Sequence, residues 1–172
     1  MASDTPVATT SNATPSTGQT SSDGAIESLL PDEIGGQPAQ KGSMSGTAFL
    51  TSGLATPDLA DYFDRLGVQP RAISVSFAYT VAGPTRTGVF AFEVKGASQE
   101  DLMRAVTEAR QAEIRGSVGW QAKVVGGKPT VTAVDATGAG GKSAYRYAAG
   151  DVVFFITAGH ESTAAEILAS LP

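Results

Sequence analysis

The chain has 172 residues, a net charge of -5, a pI of about 4.8, no cysteine and one histidine. Without a Lys/Arg cluster it offers no electrostatic partner to nucleic-acid phosphates or to an anionic membrane surface. Without cysteine it has no thiol catalysis, disulfide or thiolate metal site, and no apolar run approaches the ~18 residues of a transmembrane helix.

Met1 to Ser22 is rich in Ser and Thr, holds no aromatic residue and has one charge, Asp4. Such a stretch buries too little apolar surface to offset the entropy of ordering it, which predicts a disordered linker over 1–22 and a single α+β domain over 23–172. No basic n-region or apolar h-region follows Met1. Two expectations are open: a cytoplasmic protein with a disordered start, or an extracytoplasmic domain whose linker is the tether behind a removed membrane anchor.

Asp23 to Leu30 reads as a short helix with Ile26, Leu29 and Leu30 on one face, stopped by Pro31. Gly35-Gly36 signals a turn, with an extended stretch from there to about Ser45. The next helix is punctuated by Thr56 as N-cap, Pro57 at the first position and Gly67 just past the end. Its apolar stripe is Leu59, Phe63 and Leu66, away from Asp58, Asp61 and Asp64.

Ala72 to Val81 alternates strictly, as a strand does. Ile73, Val75, Phe77, Tyr79 and Val81 point one way, and the small side chains of Ser74, Ser76, Ala78 and Thr80 point the other, toward solvent or a thin cover. After Gly83-Pro84, Val89 to Lys95 completes a hairpin with Phe90, Phe92 and Val94 inward. Ser98 to Asp101 resembles a capping box for a helix to about Ile114, buried through Leu102, Ala105, Val106 and Ala109. Gly119 to Val125 and Pro129 to Asp135 form a second hairpin around Gly126-Gly127. Tyr145 and Tyr147 alternate with small residues. Val152 to Thr157 is apolar on both faces, which predicts a central strand. A final helix, about Glu161 to Leu171, turns Ala164, Ile167, Leu168 and Leu171 inward.

The chain also repeats itself. Ile34-Gly35-Gly36-Gln37-Pro38 recurs as Val125-Gly126-Gly127-Lys128-Pro129, and Gly88 to Gly96 recurs as Asp151 to Gly159. The expected fold is α+β: a two-layer antiparallel sheet of about six strands with helices on one face, built as a pseudo-duplicated strand-strand-strand-helix unit.

Motifs that could carry chemistry have plainer readings. Ala136 to Ser143 matches P-loop spacing, but it leads into a strand rather than opening a helix, so a hairpin loop is expected. His160 stands beside Glu161 at a helix start, which suits a surface position better than a catalytic triad. Asp32-Glu33 and Glu100-Asp101 are the adjacent acid pairs a hydrolase would need, the first in a turn and the second in a helix's first turn. Asp58, Asp61 and Asp64 lie on a helix rather than in a calcium loop. Trp120, Tyr145 and Tyr147 could line a groove, but strand aromatics more often serve cross-strand packing. No catalytic, cofactor or metal residue is therefore assigned.

At Leu29-Leu30-Pro31-Asp32-Glu33-Ile34-Gly35-Gly36 and at Gly150-Asp151-Val152-Val153-Phe154 the chain resembles small extracytoplasmic, lipoprotein-type domains of high-GC Gram-positive and related bacteria, whose function is unknown. The resemblance implies an envelope location and carries no catalytic residue across, and the lipid-attached cysteine of such proteins is missing here. Three functions follow as expectations. The first is a non-enzymatic extracytoplasmic binding or interaction domain, with a protein partner. The second is a carrier of a small apolar ligand or lipid in a cavity between sheet and helices, lined by Phe77, Tyr79, Phe90, Phe92, Phe154 and Phe155. The third is a carboxylate-based hydrolase.

Overall fold

The computed structural model describes residues 23–54, 57–82, 85–105, 120–134 and 143–172. The expected linker over 1–22, the Thr56 cap, the Gly83-Pro84 break, the later part of the helix after Ser98 with Val106 and Ala109, and the glycine-rich loop at 137–141 lie outside the described residues.

The architecture mixes helix and sheet, and the sheet is open rather than a closed barrel. In chain order come α1 (Asp23–Glu27), β1 (Glu33–Ile34), β2 (Gln37–Pro38), β3 (Gln40–Ser45), α2 (Gly46–Thr51) and α3 (Pro57–Arg65). A 3-10 turn (Pro70–Ala72) leads to β4 (Ile73–Ala82), β5 (Thr85–Val94) and the helical residues 99–105, here α4. Then follow β6 (Gln121–Val125), β7 (Lys128–Val134), β8 (Ser143–Ala149), β9 (Val152–Ala158) and α5 (Glu161–Ser170). Seven strands form one antiparallel sheet in the order β3-β4-β5-β9-β8-β7-β6, while β1 and β2 form a separate two-stranded ladder.

Strand number and layering both depart from the sequence expectation. Seven strands stand in the main sheet where about six were expected, and the extended stretch after Gly36 divides at Ala39, so that only its second part joins that sheet. The Ala39 amide turns aside to the Asp32 carbonyl (2.8 Å), so β2 pairs with β1 and β3 pairs with β4. Helices cover both faces of the sheet rather than one. On β5 and β9, Val89, Ala91, Val152, Phe154, Ile156 and Ala158 join a core with Ile26 of α1 and Ala164, Ile167 and Leu168 of α5. The alternate residues Phe92, Val94 and Val153 join a second core with Phe49 of α2, Tyr62 and Phe63 of α3, and Leu102 and Ala105 of α4. Successive strand residues point to opposite faces, so these two cores lie on opposite sides of one sheet.

The physical reason lies in β4. Its small face, expected to meet solvent or a thin cover, is buried at Ser76, Ala78 and Thr80. Small side chains let α1 approach the strands closely. Glu27 accepts from Ser43 Oγ at 2.6 Å, and Ser43 Oγ lies 2.9 Å from Ser76 Oγ. Lys41 closes the same corner, donating to the Leu30 carbonyl (2.6 Å) and pairing with Asp32 (2.7 Å). A row of Ser and Ala therefore marks a tight helix contact here, not a surface.

The centre of the sheet is β5 against β9, with Ala91 opposite Phe154, and β9 is indeed the middle strand of seven. The two Gly-Gly hairpins share one register: Ile34 faces Gln37 as Val125 faces Lys128. Both turns place two consecutive glycines at positive φ, 61° and 70° in one and 58° and 77° in the other, as two-residue hairpin turns require. Both hairpins meet α5, Gly35 near the Thr163 methyl and Gly126 against the Ala165 backbone.

Helix α2 has no counterpart in the sequence reading. Ser45 ends β3 and caps the helix, accepting from the Ala48 amide at 3.2 Å, and Phe49 drops into the second core. Phe49, Phe63, Phe90, Phe92 and Phe155 interlock there, with ring centroids 5.0–6.2 Å apart in the contacting pairs Phe92–Phe155 and Phe90–Phe92 at the two ends of that range.

Candidate functional site

A groove of about 340 Å³ opens on the α2–α4 side, between the end of α3 and the corner joining β5 to α4. It is built from three chain segments. The first is the stop of α3. Val68 N–H reaches back to the Phe63 carbonyl (3.4 Å) and Gly67 N–H to that of Asp64 (3.0 Å), the pair of hydrogen bonds that closes many helices. This leaves Leu66 and Val68 half-buried against the second core, and Arg65 exposed in the last helical turn, where a cation complements the helix dipole.

The second segment is the exit of β5. Val94 is pinned to the Asp151 carbonyl (3.0 Å), and the Ala97 amide folds back on Val94 (3.1 Å), so Lys95, Gly96 and Ala97 turn along the groove wall.

The third segment is the first turn of α4. Ser98 caps it: its hydroxyl accepts from the Asp101 amide (3.1 Å) and donates to the Asp101 carboxylate (2.7 Å). That hydrogen bond, helped by the Arg104 guanidinium and opposed by some desolvation, holds the Asp101 carboxyl below its ordinary range. Arg104 pairs with Asp101 one turn along, and Gln99 Nε2 ties the turn to the Ala148 carbonyl of β8 (2.8 Å). The capping expected at Ser98 is thus present, with Asp101 rather than a Glu as the reciprocal partner.

The groove's apolar lining is Leu66, Val68 and Ala97, half-buried, and Ala105, buried. Among the described residues its charged lining is Arg65, Lys95, Arg104 and Asp101. Among the described residues Arg65 has no ion-pair partner.

The residues singled out in the sequence are dispersed. His160 is exposed at the N-cap of α5 and makes no capping bond. Its neighbour Glu161 pairs with Lys123 of β6 at 2.5 Å. Asp32 pairs with Lys41, far from the first turn of α4 that holds Glu100 and Asp101. Asp61 and Asp64 are exposed on α3. No group of three acids and His that could hold a metal occurs among the described residues.

Trp120, Tyr145 and Tyr147 do not share a groove. Tyr145 and Tyr147 are buried in the α1–α5 core, where Tyr147 stacks on Phe154 (5.8 Å). Trp120 lies against the Arg146 guanidinium (5.4 Å), which also covers Phe155 (4.2 Å). Nor do the six aromatics named as cavity lining face one space. Phe90, Phe92 and Phe155 point to the α2–α4 core and Phe154 to the other, because Phe154 and Phe155 are consecutive on one strand.

Sequence reasoning missed the groove. Arg65 stands 30 positions before Lys95 and 39 before Arg104, with no periodic or local signal joining them, and only the stop of α3 and the cap of α4 were readable. No family model, curated protein or solved structure matches the chain.

Proposed function

We propose that the chain is a non-enzymatic extracytoplasmic binding domain and that the groove between α3 and the β5–α4 corner is where it binds. The observation that carries this reading is the groove itself: about 340 Å³, lined by Leu66, Val68, Ala97 and Ala105 together with the charged side chains of Arg65, Lys95, Asp101 and Arg104. That volume lies at the small end of ordinary ligand sites, and a few polar groups over an apolar base are their usual make-up. The envelope location rests on the resemblance at Leu29–Gly36 and Gly150–Phe154, with the Ser/Thr-rich start as a tether. The duplicated-unit reading belongs here too, supported by the shared register of the two Gly-Gly hairpins and by the meeting of β5 and β9 at the sheet's centre.

A fragment screen of the full chain, read by amide NMR shifts, tests the reading. Hits are expected on Leu66, Val68, Gly96, Ala97 and Ala105. Hits confined to other surfaces, or none, would overturn it. So would turnover of an ester, glycoside or phosphate substrate that is lost on replacing His160 or a single acid.

A further inference from the structure

Independently of the groove, we infer that the β3 edge of the sheet pairs with the β3 edge of a second copy of this chain. The two strands run antiparallel about a two-fold axis at Gly42, and two seven-stranded sheets join into one. Three observations converge.

The first is an edge without a guard. β3 ends the sheet on its side, and no strand pairs with its outer side among the described residues. Its six residues, Gln40–Ser45, run opposite Tyr79–Ser74 in unbroken register, without the proline or bulge that blunts an edge. Its one charged side chain is engaged with the segment after α1, where Lys41 donates to the Leu30 carbonyl (2.6 Å) and pairs with Asp32 (2.7 Å). Such a strand offers backbone N–H and C=O groups along one side, which another extended strand complements.

The second is the position of Phe77. Gly42 stands opposite Phe77 on the β3–β4 ladder, and the Phe77 ring fills the place of the missing side chain: a Cβ on Gly42 would lie 2.6 Å from Phe77 Cζ. The half-buried ring thus reaches over the outermost strand, backed by Phe90 and Tyr79 at centroid distances of 5.8 and 6.0 Å. Paired strands lie about 4.8 Å apart, so a two-fold at Gly42 brings the tips of two such rings about that close, over the pair of glycines.

The third is self-complementarity. A two-fold axis perpendicular to a sheet sets residues of the same face opposite each other. Centred on Gly42, it places Gln40 against Met44 of the second copy and Lys41 against Ser43, so no like charges meet. Centred one residue on, at Ser43, it would place Met44 against Gly42 and crowd the rings.

Sedimentation equilibrium of the full chain, with amide NMR over a dilution series, tests the pairing. A species of twice the 17.5 kDa chain mass is expected, with concentration-dependent shifts gathered at residues 40–45 and 77. Phe77→Ala, checked for fold by its amide spectrum, should weaken the dimer about tenfold. Val124→Lys, at a 69% exposed position on β6, should leave it unchanged. A monomer at every concentration up to about 100 µM would overturn the inference. So would mass that grows without limit, since a two-fold contact closes on itself. Shifts gathered at residues 121–125, or a dimer lost in Val124→Lys, would place the contact on β6 and overturn it as well. A folded Phe77→Ala chain that dimerises as before would overturn the axis at Gly42, and should that variant fail to fold, the shifts of the unaltered chain decide.

Discussion

At the scale of single residues, the most constrained position is a glycine. Gly126 combines φ of 58° with a direction in which a Cβ would collide with the Ala165 carbonyl oxygen of α5. Gly127 has φ of 77° and open space around it. Gly127→Ala should therefore cost only backbone strain, about 1 kcal/mol, while Gly126→Ala adds displacement of a helix and should cost about 3 kcal/mol. Urea denaturation of the two variants measures the difference, and equal losses would mean that the hairpin does not bear on α5. Tyr62 supplies a second test. Burial pushes its phenol well above the ordinary value of 10.0, partly countered by the charge of Arg146. The folded chain thus keeps a proton that the unfolded chain releases. Stability from this group is whole below about pH 10 and falls as pH rises beyond it. The unfolding free energy should decline above that point, and Tyr62→Phe should decline less. Parallel profiles for the two proteins would rule out Tyr62 as the source.

Elements differ in how openly their sequences advertise their partners. Helix α5 was readable: Ala164, Ile167 and Leu168 are spaced for one face, and all are buried. What the spacing could not say is that the helix lies between two hairpins, touching Gly35 through Thr163 and Gly126 through Ala165. Leu168 is fully buried in the core under that helix, so Leu168→Ala should cost about 3 kcal/mol, read from thermal or urea unfolding. A loss below 1 kcal/mol would mean that α5 is loosely seated. Strand β4 was half readable. On its large face Ile73 and Val75 reach the second core while Val81 is 59% exposed, and Ser76 and Ala78 gave a solvent signal at a helix contact, because small side chains serve both purposes. The groove shows the same limit. The stop of α3 and the Ser98 cap are local and were legible. The approach of Arg65 to Lys95 and Arg104 is a tertiary event with no sequence periodicity.

For the whole molecule, the sheet is a shared wall. Its central strands β5 and β9 give alternate residues to each core, so neither core can dissolve while the other keeps its strands. Unfolding should therefore be one transition, seen alike by probes on either side. Phe63 and Leu168 sit on opposite sides of that wall and in different cores. Phe63→Ala should cost about 3–5 kcal/mol, and the Phe63→Ala/Leu168→Ala double variant should lose the sum of the two single losses within about 0.5 kcal/mol. Two resolved transitions, or a coupling above about 1 kcal/mol, would break this description. The open sheet leaves β3 and β6 as edges. The edge at β6 is short and bears Lys123, features that discourage pairing with another chain.

What the sequence alone determined is what depends on neighbours along the chain. Alternation gave β4, a run apolar on both faces gave β9, helical spacing gave α3 and α5, paired glycines gave both hairpin turns, and the lack of cysteine removed thiol chemistry. Tertiary structure decided what depends on neighbours in space: that helices cover both faces, that Phe154 and Phe155 serve different cores, that Ser45 starts a helix, and that Arg65 shares a groove with Lys95 and Arg104. The division follows from the range of the forces. Backbone sterics, capping and periodic burial act within a few residues, whereas the side of the sheet on which a helix settles is fixed only when close packing selects the small face of β4 for α1.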